Sequence, residues 1–156
     1  MPFEYLPVMA QNSAPKPPRV LAQPSKPAWC PVHKPLEQSR VALLTSAALR
    51  LVNQPPFIPR EDLSYRLVPS HPSAGEIIID HHSGIGRVPK HDPEIVFPRT
   101  ALASLANRGI IGGISPVHAS VMGGLRQHHE IETQLAPAIA DELKKAQVDL
   151  AILVPY

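Results

Sequence analysis

The sequence is poor in cysteine, in aromatic residues and in charge. One cysteine, Cys30, in 156 residues excludes an internal disulfide framework and any zinc site that needs two cysteine ligands from this chain. Aromatic residues make up 4%, so the core has to be built from Ile, Leu, Val and Ala. Charged residues make up 18% and the formal net charge is +2. With no Lys/Arg cluster interleaved with aromatics, nucleic-acid binding has no footing. Apolar stretches such as Val148 to Pro155 fall well short of a bilayer span. The opening MPFEYLPVMAQNSAP lacks the basic and apolar regions of a secretory signal. These absences point to a cytoplasmic protein with no membrane partner, of a length that suits one domain.

Proline is what the chain has in excess. Nine of its 20 prolines fall within the first 36 residues. Proline fixes φ and has no amide proton, so residues 1–36 are expected to form neither a helix nor an interior strand. They read as an extended, partly polyproline II arm, which Phe3, Tyr5, Leu6 and Trp29 could pin in places. The folded domain is then expected over 37–156.

Within that domain, Val41 to Ala47 is a short apolar run that suits a strand buried on both faces. Residues Leu49 to Ser73 carry five prolines and read as a long loop with one extended piece, Ser64 to Val68. Glu76 to Asp80, with three consecutive isoleucines, predicts a second buried strand. A helix is expected from Pro98 to Arg108, with Pro98 at its start and Gly109 as its C-terminal cap. Ile110 to Ser115 predicts a third strand, and Pro116 to Glu130 a loop. Ile131, Leu135, Ile139 and Leu143 recur every four residues and predict a helix over about Glu130 to Gln147, kinked or started late by Pro137. Val148 to Val154 predicts a fourth strand. Strands alternating with helices give an α/β fold: three layers around a mostly parallel sheet of flavodoxin-like or doubly wound type. The last strand has no helix after it, so the domain reads as incomplete at its C-terminus.

The most polar stretch follows the second strand: Asp80, His81, His82, Ser83, Gly84 and Gly86. Asp-His-His is the triplet that names a phosphoesterase family, but the further metal-binding aspartates are not suitably placed. Adjacent histidines also point to opposite sides of an extended backbone, so no metal site is expected. Gly84-x-Gly86 has no third glycine and opens no helix, so it is no dinucleotide fingerprint. His118 is expected at the carboxyl edge of the third strand on the same side as His82, beside Ser115, Ser120 and the Gly123–Gly124 pair. The alternative for these histidines is a structural hydrogen bond. Cys30 has no motif partner.

Five segments in order carry a resemblance: PAWCPVHKPLEQSRVALLTSA, DLSYRLVPS, DHHSGIGRVPKHDPEIVFP, GIIGGISPVHASVMGG and ETQLAPAIADELKKAQVDLAILVPY. Together they resemble the B subunit (selenoprotein B) of the glycine/sarcosine/betaine/D-proline reductases, most closely the D-proline reductase-like branch, over residues 27–156. The resemblance implies a subunit of an oxidoreductase that cleaves the C–N bond of an amino acid or derivative. In that family a selenocysteine, or a cysteine, follows a strand similar to VDLAILVPY, with a resolving cysteine close behind. The resemblance thus implies a nucleophile beyond Tyr156, encoded by an in-frame UGA, and no cofactor in this chain itself. It further implies a pyruvoyl group on a partner subunit, which withdraws electrons from the substrate's α-carbon as an imine. The selenolate attacks that carbon as the C–N bond breaks, and the thiol resolves the adduct to a selenide–sulfide bond that a thioredoxin-like or other dithiol reduces.

Under this resemblance the implied partners are other reductase subunits, a small amino-acid substrate and the dithiol. The supporting groups are His82 and His118 for proton transfer or for orienting the substrate carboxylate. Ser83, Gly84, Gly86, Gly123 and Gly124 are the substrate-binding candidates, the glycines allowing close backbone approach. One departure is Ala47–Ala48, where the family often has a glycine-containing turn after the first strand. The alternative function is a non-catalytic, partner-binding α/β protein, a split or degenerate relative. A small α/β enzyme of racemase type is disfavoured, because it would want a pair of reactive cysteines or an equivalent acid/base pair.

Overall fold

The computed structural model describes residues 30–73, 76–81 and 91–156. Most of the proline-rich arm, including Phe3, Tyr5, Leu6 and Trp29, and the stretch with His82, Ser83, Gly84 and Gly86 lie outside the described residues. A compact unit spans Val32–Tyr156.

The centre of that unit is β1 (Arg40–Thr45), whose Val41, Ala42 and Leu43 are all but inaccessible. An aliphatic run of this kind needs apolar cover on both faces. β7 (Leu150–Val154) lies parallel to β1 in continuous register from Val41↔Leu150 to Thr45↔Val154. On the opposite flank run β5 (Gly113–Ile114) and β6 (Val117–Val121), both parallel to β1. β3 (Tyr65–Pro69) pairs antiparallel with β6 and closes that side. The sheet is mixed and mostly parallel, flanked by helices, as expected of an α/β chain.

Two helical elements supply the outer layers. α1 (Arg99–Asn107) starts on Pro98, which has no side chain to cap the helix. Glu94 takes that role: its Oε2 accepts the Thr100 N–H at 2.7 Å, where a negative charge suits the helix N-terminus. At the other end Gly109 takes φ +70°, and the Ile110 N–H bonds the Leu105 carbonyl, the left-handed cap expected from the sequence. Leu102 and Leu105 pack onto Val41, Leu43, Phe97 and Ile114. Across the sheet, Leu135, Ile139 and Leu143 pack onto Ala42, Ala119, Leu44 and Val121.

The second helix is not one regular rod. It opens with α2 (His128–Glu130), widens into a π-helical turn over Ile131–Leu135, and continues as α3 (Ala136–Lys145). Pro137 accounts for this. In a regular helix its ring would collide with the carbonyl four residues back, and a wider turn relieves that crowding.

Besides the strand at Leu49–Leu51, which falls in the stretch read as a loop, two expectations from the sequence need correction. The isoleucines of Glu76 to Asp80 do form a strand, β4 (Ile77–Ile79), but not inside the main sheet. It pairs antiparallel with β2 (Leu49–Leu51) in a separate two-stranded sheet, and of the three isoleucines Ile79 alone is buried. Isoleucine favours extended backbone wherever one face is covered, so the triplet marked a strand without choosing its sheet. Second, the loop expected over Pro116 to Glu130 contains β6. Pro116 looks like a strand breaker but sits at a bulge, where the missing amide is tolerated. The pairing with β1 steps from Val41↔Ile114 to Leu44↔Ala119 across it, which accommodates two extra residues on the β5–β6 side.

Candidate functional site

The bulge decides where His118 goes. Instead of standing in a loop at a carboxyl edge, it lies within β6, 1% exposed. The register step leaves the Leu43 N–H of β1 facing the histidine ring, and His118 Nδ1 accepts that proton at 2.9 Å. Ser115 mends the remainder of the bulge: its N–H bonds the Val41 carbonyl at 2.8 Å and its hydroxyl donates to the Val117 carbonyl at 2.6 Å. The ring meets Phe97 edge-on with centroids 5.2 Å apart. Burial, reinforced by His71 and Arg99 nearby, pushes the His118 pKa from 6.5 down to about 4. The ring is therefore neutral at ordinary pH, and since Nδ1 is an acceptor its proton sits on Nε2.

His118 also lines a cavity of about 260 Å³ at the amino end of β6. Ser70 and His71, which follow β3, stand on one side, and Glu94, Arg99 and Thr100 line it from the start of α1. Arg99 is held in place: Nε bonds Glu94 Oε1 at 3.2 Å and Nη1 bonds the Pro72 carbonyl at 2.8 Å. The Ser70 hydroxyl donates to the Ser115 carbonyl, tying the end of β3 to the bulge.

The carboxyl edge of the sheet gathers a second group. Tyr156, just past β7, donates its N–H to Ser46 Oγ at 2.8 Å, and its ring meets His81 edge-on with centroids 5.1 Å apart. The buried Tyr156 hydroxyl has no hydrogen-bond partner among the described residues. Gly123 closes the group: a Cβ there would lie 2.7 Å from both His81 Nε2 and the Ser46 carbonyl oxygen. Glycine is thus required by packing against the protein's own atoms. Gly124, by contrast, has free space where a Cβ would stand and takes φ +72°, so its role is to turn the chain. Ala48, fully buried at the end of β1, takes φ +52°. This is the left-handed region that favours glycine, and it falls at the turn where the sequence departs from the glycine-containing pattern.

The structure thus brings Gly123 together with His81, Ser46 and Tyr156, and separates that group from His118. Asp80, at the head of the polar stretch, is structural: it pairs with Arg50 Nε at 2.6 Å and accepts the Phe57 N–H at 2.9 Å. Cys30 is exposed. No group of three or more potential metal ligands occurs among the described residues, and none of their helices is long and apolar enough to cross a membrane. Sequence reasoning missed Arg99, His71, Ser46 and Tyr156 as site residues. Arg99 gave one usable signal, a cation in the first turn of a helix, where the dipole disfavours it.

No family model and no solved structure matches the chain. Among curated proteins it is similar to D-proline reductase subunit gamma of Acetoanaerobium sticklandii, 29% identical over 127 residues. The match takes in 81% of this chain and 52% of the relative, so the chain spans about half the length of the curated relative it matches. That similarity bears out the resemblance, carried by the five ordered segments, to the D-proline reductase-like family.

Proposed function

We propose that this chain contributes the amino-terminal α/β portion of a reductase subunit that cleaves the C–N bond of a small amino acid, D-proline first among the candidates. The observation that carries this reading is the similarity to D-proline reductase subunit gamma along 127 residues. The nucleophile, a selenolate or thiolate, is assigned to a residue beyond Tyr156, and the resemblance of the closing segment VDLAILVPY supports that assignment. A selenolate or thiolate there would displace the nitrogen from the α-carbon as the C–N bond breaks, a partner subunit's carbonyl would serve as electron sink, and an external dithiol would supply the two electrons and leave as its disulfide.

This chain's own part is to position. Ser46 fixes the backbone at Tyr156 through hydrogen bonds at 2.8 and 3.4 Å, which would set the direction of a following residue. His81 and the Tyr156 ring form an apolar-edged wall beside it, and Gly123 keeps that wall tight. Partial exclusion of water at this edge would favour a nucleophile that sheds its hydration on attack.

The test is purification from the native host of the complex that contains this chain. D-proline-dependent oxidation of dithiothreitol, with a ring-opened amino acid as product, is the expected result. A purified complex that turns over none of D-proline, glycine, sarcosine or betaine would overturn the reading. The coding sequence after Tyr156 tests the nucleophile separately: an in-frame UGA or a cysteine codon is expected, and a UAA or UAG codon there overturns that assignment.

A further inference from the structure

Two donors in the cavity at the amino end of β6 have no hydrogen-bond partner among the described residues. His118 spends Nδ1 on the Leu43 N–H, and its protonated Nε2 has no hydrogen-bond partner among the described residues. The ring is 1% exposed and lines the cavity, so the cavity is its route to any ligand. Arg99 uses Nε and Nη1 within the protein, while Nη2 likewise has no partner among the described residues. Arg99 is partly exposed where it lines the cavity, and its bonds to Glu94 and the Pro72 carbonyl hold the guanidinium in place.

The acidic side of the cavity is equally specific. Glu94 accepts from Arg99 Nε through Oε1 and from the Thr100 N–H through Oε2, and each oxygen keeps a free lone pair. With the charges of Arg99 and Glu94 balanced, a simple anion gains little net attraction, whereas a dipolar ion satisfies both ends at once. Leu102, Ala103 and Ile114 supply apolar lining beside them. At about 30 Å³ per water, the volume of about 260 Å³ corresponds to roughly nine waters. A ligand of about eight non-hydrogen atoms fits that space.

From these residues we infer that the cavity is a binding site for a small aliphatic amino acid in its zwitterionic form. The carboxylate takes the His118 Nε2–H and Arg99 Nη2, the ammonium faces Glu94, and the side chain lies on Leu102, Ala103 and Ile114. The site stands at the opposite end of β6 from Gly123 and His81, so it is distinct from the edge assigned to the chemistry. Because His118 donates as a neutral imidazole, binding does not depend on its protonation above about pH 5.

Calorimetric titration of the full chain tests this without any turnover, so its failure leaves the reductase reading standing. The probes are alanine, D-proline and cyclopentanecarboxylate, the last matching proline in size but lacking the nitrogen. D-proline as a probe rests on the reductase reading; the ligand class does not. Saturable binding of alanine or D-proline, at least tenfold tighter than cyclopentanecarboxylate, is expected. Ala103→Leu fills the cavity without touching its polar groups and should abolish binding while the urea midpoint holds. Glu94→Gln should bring the amino acids down to the affinity of the plain carboxylate. Absence of saturable binding by both amino acids overturns the inference, as does cyclopentanecarboxylate binding as tightly as they do, or Ala103→Leu binding unchanged.

Discussion

His118 makes stability depend on pH in a way that can be worked out from its surroundings. In the unfolded chain the imidazole protonates near pH 6.5, and in the folded protein only near pH 4. Between those values the unfolded state binds the proton more readily, so acid favours unfolding. The stabilisation is complete above about pH 6.5 and is lost as pH falls toward 4. The full difference corresponds to about 3 kcal/mol, of which about 2 kcal/mol is gone by pH 5. Carboxylates whose pKa lies below the ordinary value, such as Asp62 and Asp149, lose their contribution only at lower pH, so they do not obscure this window.

The perturbation that isolates the effect is His118→Asn, whose side-chain oxygen can still accept the Leu43 N–H but does not titrate. Urea unfolding at pH 7.5 and pH 5 is the assay. Wild type is expected to lose about 2 kcal/mol more over that interval than the variant, which starts less stable because Phe97 loses its ring partner. Equal losses in the two proteins would refute the reasoning. So would a His118 C2 proton that titrates near pH 6.5 in the folded protein.

Neighbouring glycines should behave oppositely. A Cβ on Gly112 would sit 2.7 Å from Gln38 Cα, whereas one on Gly113 meets nothing within 4 Å. Gly112→Ala should therefore cost about 1–3 kcal/mol, and Gly113→Ala should be neutral or slightly stabilising, as read from urea midpoints. Asp80→Ala strands the half-buried Arg50 and orphans the Phe57 N–H, and a loss of about 2 kcal/mol is expected. If Asp80 is structural, the D-proline-dependent rate of the native complex, per folded molecule, should hold within a few-fold in that variant.

Local signals carried much of the fold. β1 was readable because a continuous aliphatic run suits a strand covered on both faces, and β7 from a similar run although Ile152 and Leu153 stay exposed. α1 was readable because Pro98 and Gly109 punctuate its ends, and the second helix because Ile131, Leu135, Ile139 and Leu143 keep a helical period. β6 was not, since Pro116 and the glycine pair around it resemble loop chemistry. The bulge that accommodates Pro116 exists only once β1 lies alongside. The candidate site was less legible still. Arg99, Glu94 and His71 are ordinary surface residues in sequence, and Ser46 and Tyr156 are separated by most of the domain.

By itself the sequence determined the alternation of strand and helix, the aliphatic core and the family resemblance, because each depends on composition, period or segment order along the chain. Only the tertiary structure decided that three isoleucines join a small outlying sheet, and that His118 is a neutral, backbone-bound ring at the wall of a cavity. Those outcomes depend on which strand lies beside which and in what register. Register is a property of the assembled sheet: a step of two residues at Ser115–Pro116 is what turns a histidine expected in a loop into a buried donor.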